Sequence, residues 1–269
     1  MIVMTSGSFE TVGTVTRLWR YPVKSMLGER LDSAAVDRRG LVGDRRFAVW
    51  DAEGKFGSCK DSRRFRRMDG LLDFRSGYDD DPAEAAEPAG VAELAEAAYA
   101  AAGAPHLVAP DGVRHRIPSS AADAAVRSYL RRDDVRIMAE ADVPHHDAAP
   151  LHLLSTATLD WFVQALGGVP ADERRLRPNL VVDLPGAAAF VEDGWEGRRV
   201  RIGAGPDAVV ARWVKQTQRC RTLNVAQEEL PYTSRGLKSL SGRDLNLGVY
   251  LEVLAGGRVR VGDPVALAD

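Results

Sequence analysis

Cys220 has the surroundings that say most about chemistry. It lies in Lys215-Gln-Thr-Gln-Arg-Cys-Arg221, with an arginine on either side and Lys215 nearby. Positive charge favours thiolate over thiol, and the thiolate is the form that ligates metals or attacks electrophiles. The competing reading is a small buried hydrophobe after a strand, the common fate of an isolated cysteine. Cys59, followed by Lys60 and several arginines, reads as structural. Elsewhere, cations and hydroxyls sit beside turn or cap positions in ways that suit an oxyanion. Tyr21-Pro-Val-Lys-Ser25 sets Lys24 and Ser25 just after a proline, where the chain is forced out of helix. Gly43-Asp-Arg-Arg46 offers Arg45 at the start of a strand. Leu154-Ser-Thr-Ala-Thr158 opens a helix, so free backbone N–H groups and the hydroxyls of Ser155 and Thr158 share a favourable dipole. Arg177 and Asn179 flank Pro178 in a further such place. Singly, each reads as surface charge, an ordinary cap or a strand start; only a fold could join them into a phosphate pocket.

Two weaker candidates are set aside. His145-His146-Asp147 has metal-compatible side chains, but adjacent residues rarely converge on one tetrahedral ion, and a polar linker is the simpler reading. Gly203-Ala-Gly205 lacks the third glycine and following helix of a dinucleotide loop.

The elements that must position these residues are mostly short strands. Gly13–Trp19 and Arg46–Trp50 are β-branched or aromatic, the second running into the turn Asp51-Ala-Glu-Gly54. The stretch from Gly77 to Gly90 is acidic and rich in alanine and proline, a solvated loop by composition. Asp79-Asp80-Asp81 within it is a candidate for steering a basic partner, although a plain linker fits the composition better. Helices are expected from Val91 to Ala102, ended by Gly103, and from Ser120 with Asp123 three positions on. Glu140 to Pro150 reads as a connector, giving a boundary between 10–145 and 146–269. Beyond it, Ser155 caps a helix running to Leu166 with Gly167 as the stop, and Arg177–Leu184 suits a buried strand. Val200 and Ile202 pair with Val209–Val214, and a hairpin is expected from Val249–Leu254 and Arg258–Val261 about Ala255-Gly-Gly257. Many short strands with few helices point to a mainly β protein with some α, a β-barrel rather than a parallel α/β sheet.

With 269 residues, 45% hydrophobic and 28% charged, the chain can bury a real core as one large or two smaller domains. A net charge of −2 gives no basic field to recommend nucleic acid as a partner. No apolar run approaches the ~20 residues of a membrane-spanning helix, and no secretory signal is evident. Two distant cysteines are a poor disulfide framework and too few for an ordinary iron–sulfur cluster. A cytoplasmic, reduced protein is expected.

Tyr21-Pro-Val-Lys-Ser25 followed by Gly43-Asp-Arg-Arg-Phe47 resembles the N-terminal β-barrel module of MOSC proteins. Leu154-Ser-Thr-Ala-Thr-Leu159, Arg177-Pro-Asn-Leu-Val181, Arg219-Cys220 and Val261-Gly-Asp-Pro-Val265 resemble the MOSC domain itself, and the order is similar to that of the mitochondrial amidoxime-reducing component and YcbX-like proteins. The resemblance implies a MOSC β-barrel packed with a smaller N-terminal β-barrel-like module. It implies the molybdenum cofactor, a pterin with a phosphate tail whose dithiolene holds the metal, with Cys220 as both the protein's ligand to molybdenum and its catalytic residue. Contacts to phosphate and pterin would fall to Lys24, Ser25, Arg45, Ser155, Thr158, Arg177, Asn179 and Arg219, with Tyr250 as a pocket tyrosine. Pyridoxal phosphate binding is a further property it suggests. The activity implied is reduction of N-oxygenated small molecules. The alternatives are sulfur transfer through a Cys220 persulfide, or a non-catalytic cofactor carrier. The segment after the cysteine, Thr222 to Leu230, departs from the Asp-Pro-Asp-Thr-Gly-like run of the amidoxime reducers, so a remodelled rim is expected. The ferredoxin-like extension of YcbX-like proteins is missing before Asp269, so a separate electron-transfer protein, ferredoxin, flavodoxin or cytochrome-like, is the expected partner.

Overall fold

The computed structural model describes residues 8–79 and 104–269. The helix expected over 91–102 and residues 80–90 of the acidic stretch lie outside the described residues. The chain begins with β1 (Glu10–Arg20), then β2 (Glu29–Leu31), β3 (Ser33–Asp37), β4 (Gly40–Leu41), β5 (Phe47–Trp50), β6 (Phe56–Ser58) and β7 (Phe65–Arg67). There follow β8 (Arg75–Gly77), β9 (His106–Val108), β10 (Arg114–Arg116), the helix α1 (Ser120–Leu130) and β11 (Arg136–Ala139). The second half supplies β12 (Leu151–Ser155), α2 (Thr156–Ala165), β13 (Leu180–Asp183), β14 (Arg199–Ile202) and β15 (Val209–Gln218). It ends with α3 (Arg235–Ser239), β16 (Asn246–Ala255), β17 (Gly257–Arg260) and β18 (Pro264–Ala268).

The protein is mainly β, as its strand-rich sequence predicts, and its larger sheet is a closed barrel. Seven of its strands, in the order β13-β12-β16-β15-β14-β18-β1, close on themselves because β1 pairs back onto β13, and β2 adds to the end of β1. Alternate residues point inward: Leu151 and Leu153, Val200 and Ile202, Val265 and Leu267 are all buried in one cluster. Fully burying each such side chain contributes roughly 1.5–3 kcal/mol, which is why the period-two pattern sets the register. Closure also needs Gly13, because a Cβ there would meet the Asp183 carbonyl oxygen at 2.0 Å. The N-terminal β-barrel module consists of the sheets β11-β5-β6-β7 and β8-β9-β10. Its core packs Phe47, Val49, Phe74 and Ile137 against Ala122 and Val126 of α1.

Strand pairing crosses the boundary expected at residue 145. β1, which the sequence reading puts in the N-terminal part, is a barrel strand, and β17 pairs with β3. The hairpin expected at 249–261 does not form. Both edges of β16 are occupied, by β12 and β15, so β17 takes β3 as its partner instead. At α1 the cap is Ser119 rather than Ser120: its Oγ accepts from Ala122 N at 3.1 Å, while Asp123 accepts from Ile137 N at 2.8 Å and tethers β11.

Within the connector, whose residues 141–144 are exposed, His145 and His146 depart from the polar linker expected there, because both are buried. The His145 ring packs edge-on against Phe56, centroids 4.9 Å apart. Its Nδ1 lies 3.0 Å from the Arg45 carbonyl oxygen and its Nε2 accepts from Trp50 Nε1 at 3.3 Å, a pairing that requires the neutral ring. Burial pulls His145 down to about 4 and His146 to about 3. An unfolded histidine titrates near 6.5, so below that pH the unfolded chain binds protons that the folded chain refuses. Stability is therefore expected to fall as pH drops from about 6.5 towards 4, by up to about 1.4 kcal/mol per pH unit for each histidine. Denaturant titrations at pH 7, 6 and 5 measure this slope. His145→Phe should remove its share, and a stability independent of pH over this range would contradict the account.

Candidate functional site

The sequence segments 21–25 and 43–47 run side by side where the chain passes from β1 into the N-terminal module. Lys24 N donates to the Phe47 carbonyl at 2.8 Å, Arg45 N to the Tyr21 carbonyl at 2.8 Å, and Tyr21 N to Asp44 Oδ1 at 2.8 Å. This pairing sets Lys24, Ser25 and Arg45 along one wall of a cleft. The opposite wall comes from the barrel. Arg177 and Asn179 precede β13, Arg219 and Cys220 follow β15, and Tyr250 lies within β16. The enclosed part of the cleft is small, about 60 Å3, so a ligand larger than a few atoms would extend into its open mouth.

Eight of the ten residues expected at the site thus meet: Lys24, Ser25, Arg45, Arg177, Asn179, Arg219, Cys220 and Tyr250 line this cleft. Ser155 and Thr158 do not, and the phosphate role expected of them is corrected. Both are fully buried, and their helix N-terminus already holds an anion. The buried Glu192 carboxylate accepts from Ser155 N at 3.1 Å and from its Oγ at 2.9 Å. Thr158 N is capped by Ser155 Oγ, and Thr158 Oγ1 accepts from Phe190 N at 2.6 Å.

The cleft is strongly cationic, with few opposing charges. Arg45 pairs with Asp44, and its guanidinium carbon lies 5.0 Å from the Tyr21 ring centre; that of Arg177 lies 4.2 Å from the same ring. Arg177 Nη1 donates to the Met26 carbonyl at 2.7 Å, and Arg219 Nη2 to that of Leu176 at 2.6 Å. Arg177 Nη2 and Arg219 Nε are buried and have no hydrogen-bond partner. Burial holds Arg177 below the usual arginine range, and Arg45 nearby adds to the effect. Ser25, Arg45 and Arg177 also have positive φ, of 66°, 48° and 53°. For residues other than glycine this costs of order 1–3 kcal/mol each, and such strain clusters at working sites.

Cys220 is half-buried, its sulfur 3.1 Å from Thr222 Oγ1. Cys59 is fully buried beside Leu27 and Leu72, and burial pushes its thiol up to about 12. It has the features of a packing residue. Among the described residues no three His, Cys, Asp or Glu side chains converge to hold a metal ion. A metal beside Cys220 would therefore take its other ligands from a bound group, and the two unpartnered arginine nitrogens fit an anionic tail on that group.

Several cleft residues escape the sequence reading. Asp147, set aside with the connector, accepts from Lys24 Nζ at 2.6 Å and from Lys60 Nζ at 3.4 Å. Burial alone would raise its carboxyl, but Lys24 and Lys60 outweigh that and hold it well below the usual range. His152 faces Tyr250, ring centres 5.7 Å apart, and is kept neutral by burial and by Arg219. Arg175, fully buried, donates to the carbonyls of Leu223, Val225, Pro170 and Pro231 and so fixes the chain beyond Cys220. Only the clustering of titratable residues at 145–147 hinted at any of these.

Two family profiles match the chain: the MOSC N-terminal beta barrel domain over residues 12–73 and the MOSC domain over 140–266. Among solved structures, the YuaD protein from Bacillus subtilis aligns over 97% of this chain and 98% of its own, with 12% identity and a TM-score of 0.49. YiiM from Geobacillus stearothermophilus aligns over 45% and 55%, with 17% identity and a TM-score of 0.34. No curated protein gives a significant sequence match.

A cleft with buried, unpartnered guanidinium nitrogens should be stabilised by a multivalent anion. At ten times its Kd, pyrophosphate would add about 1.4 kcal/mol, a rise of about 2–5 °C in Tm. Melting in pyrophosphate against chloride of equal ionic strength reads this out. Arg177→Ala should abolish most of the rise; an undiminished rise in that variant would place anion binding elsewhere.

Proposed function

The chain belongs to the MOSC domain proteins, a family that binds the molybdenum cofactor, and from that premise we propose that it is a molybdenum cofactor-dependent reductase of N-oxygenated small molecules. The observation that carries this reading is the meeting of Lys24, Arg45, Arg177 and Arg219, from distant segments, around one cleft with Cys220 at its wall. When bound, the cofactor supplies the two-electron redox chemistry that breaks an N–O bond and releases water. The chain supplies ligation, orientation and electrostatics.

Cys220 would be the protein's ligand to the metal and the catalytic residue. Thr222 Oγ1, 3.1 Å from the sulfur, orients it. Arg177 and Arg219, each with one guanidinium nitrogen lacking a partner, would hold the phosphate tail. Arg45 adds charge, and Asp147 keeps the buried Lys24 ammonium from being uncompensated. Burial, with Asp147 nearby, pushes the Tyr250 phenol up to about 12, so it keeps its proton at neutral pH and can donate a hydrogen bond to the substrate. The electrons come from a separate electron-transfer protein, and the substrate meets the site from solvent. The reaction is placed in the cytoplasm. No described helix is long and apolar enough to cross a membrane.

Protein made in a host that synthesises the cofactor should contain molybdenum and turn over benzamidoxime with a reduced viologen dye, but not with a nicotinamide cofactor alone. Cys220→Ala should lower turnover at least a hundredfold without unfolding the chain, while Cys59→Ala retains it. Metal-free protein from such a host would sink the proposal, as would a fully active Cys220 variant.

A further inference from the structure

A second cavity lies against the Cys220 cleft and is not used by the chemistry above. Asp147 and Ala149 line both spaces, so the connector forms a shared partition. The second space measures about 730 Å3 with its open side included. Val143, Pro144, Ala148 and Pro150 give it apolar walls, and Arg38, Arg39 and Arg64 give it cations.

These arginines differ in what they have left to offer. Arg39 is committed to Glu140, its Nε 2.7 Å from Oε1. Arg64 is held in place without a carboxylate. Its Nη2 donates to the carbonyls of Pro144 at 2.7 Å and His146 at 3.4 Å, and its guanidinium carbon lies 5.4 Å from the Phe65 ring centre. Its Nε is buried with no partner. Arg38, exposed on the turn between β3 and β4, has no ion pair among the described residues. In the same wall His146 is only 8% exposed, and neither ring nitrogen has a partner. The single acid lining the space, Asp147, is already engaged by Lys24 and Lys60. The cavity therefore carries unbalanced positive charge over an apolar floor. A guanidinium held by backbone carbonyls and an aromatic face keeps its remaining edge for a planar anion, carboxylate or phosphate.

We propose that this annex binds the carboxylate or phosphate group of an organic anion, with Arg38 and Arg64 as its anchors. Because the annex adjoins the Cys220 cleft, the N-oxygenated substrates of that cleft carry such a group on an apolar body. The second statement rests on the reductase reading; the first does not.

The test compares 4-carboxybenzamidoxime with uncharged benzamidoxime by calorimetric titration of the purified protein. Benzoate and phenyl phosphate serve as fragments that identify the preferred head group. The carboxylated probe should bind at least tenfold more tightly than the neutral one, and this advantage should shrink as salt is raised. Arg38→Gln and Arg64→Gln should each remove at least fivefold. Arg64 also anchors the connector, so melting curves accompany its variant. Arg38, which supports no other residue, carries the test if Arg64→Gln unfolds. Equal affinity for the two amidoximes, no binding of either fragment, or Arg38→Gln binding like the parent would overturn the annex. If probe binding follows the arginines but the loaded protein turns over neither amidoxime, the annex stands and the reductase reading falls; turnover of benzamidoxime without 4-carboxybenzamidoxime overturns the statement about substrates.

Discussion

Asn179 donates from Nδ2 to the Trp19 carbonyl at 3.2 Å and accepts at Oδ1 from His152 N at 3.2 Å and Arg45 Nη1 at 3.4 Å. Its backbone adds a bond to the His152 carbonyl at 2.8 Å and another from Trp19 N at 3.0 Å. One buried residue thus ties β1, β12, the entry to β13 and the Arg45 turn together. The barrel closes where β1 meets β13, and the cleft lies where those same segments leave the barrel. Closure and site are therefore one construction. Losing the Asn179 amide would leave several buried polar groups without partners, at about 1–3 kcal/mol each. Although Asn179 lines the cleft, its amide is already engaged by the protein, which makes it the frame of the site more than a contact held open for ligand.

What that frame holds is electrostatically unfavourable by itself. Arg45, Arg177 and Arg219 are crowded into one cleft against Asp44, the Tyr21 ring and a few carbonyls. Desolvated cations cost several kcal/mol apiece unless paired, and three residues in left-handed conformations add to that. The closed barrel, with its apolar interior, bears the cost. A site tuned for a bound anion is a local loss of stability tolerated for function. Lys24 illustrates the balance: burial pulls its ammonium down, and Asp147 offsets this at 2.6 Å.

The sequence reveals the elements better than their partners. The alternation of Val200, Ile202, Val209 and Ala211 marks a strand pair because period two is a local property. Ser155 is legible as a helix cap for the same reason. That Glu192 would occupy that helix end depends on a residue 37 positions away, and no local pattern encodes it. The hairpin reading at 249–261 fails similarly, since the turn residues are suitable but the edge of β16 is taken. His145 and His146 look polar in composition. The burial of His145 follows from an aromatic pocket of Trp50 and Phe56 contributed by another segment. The cations of the cleft could be named one at a time, and the motif resemblance grouped them. The left-handed turns that aim Arg45 and Arg177 left no trace in residue type, since arginine is not favoured there.

The segment after Cys220 is held in two different ways, one at its root and one at its tip. At its root, Arg175 is buried and binds the carbonyls of Leu223, Val225 and Pro231, so the turn carrying Cys220 and Thr222 has little freedom. At its tip, Glu228 is paired with Arg174 of the barrel at 2.7 Å and with Arg75 of the N-terminal module. These outer pairs are partly exposed, and such pairs contribute roughly 0–1 kcal/mol and weaken with salt. The root is therefore fixed by desolvated hydrogen bonds and the tip by screened charges. Changes of sequence at the tip alter what reaches the cleft without disturbing the sulfur.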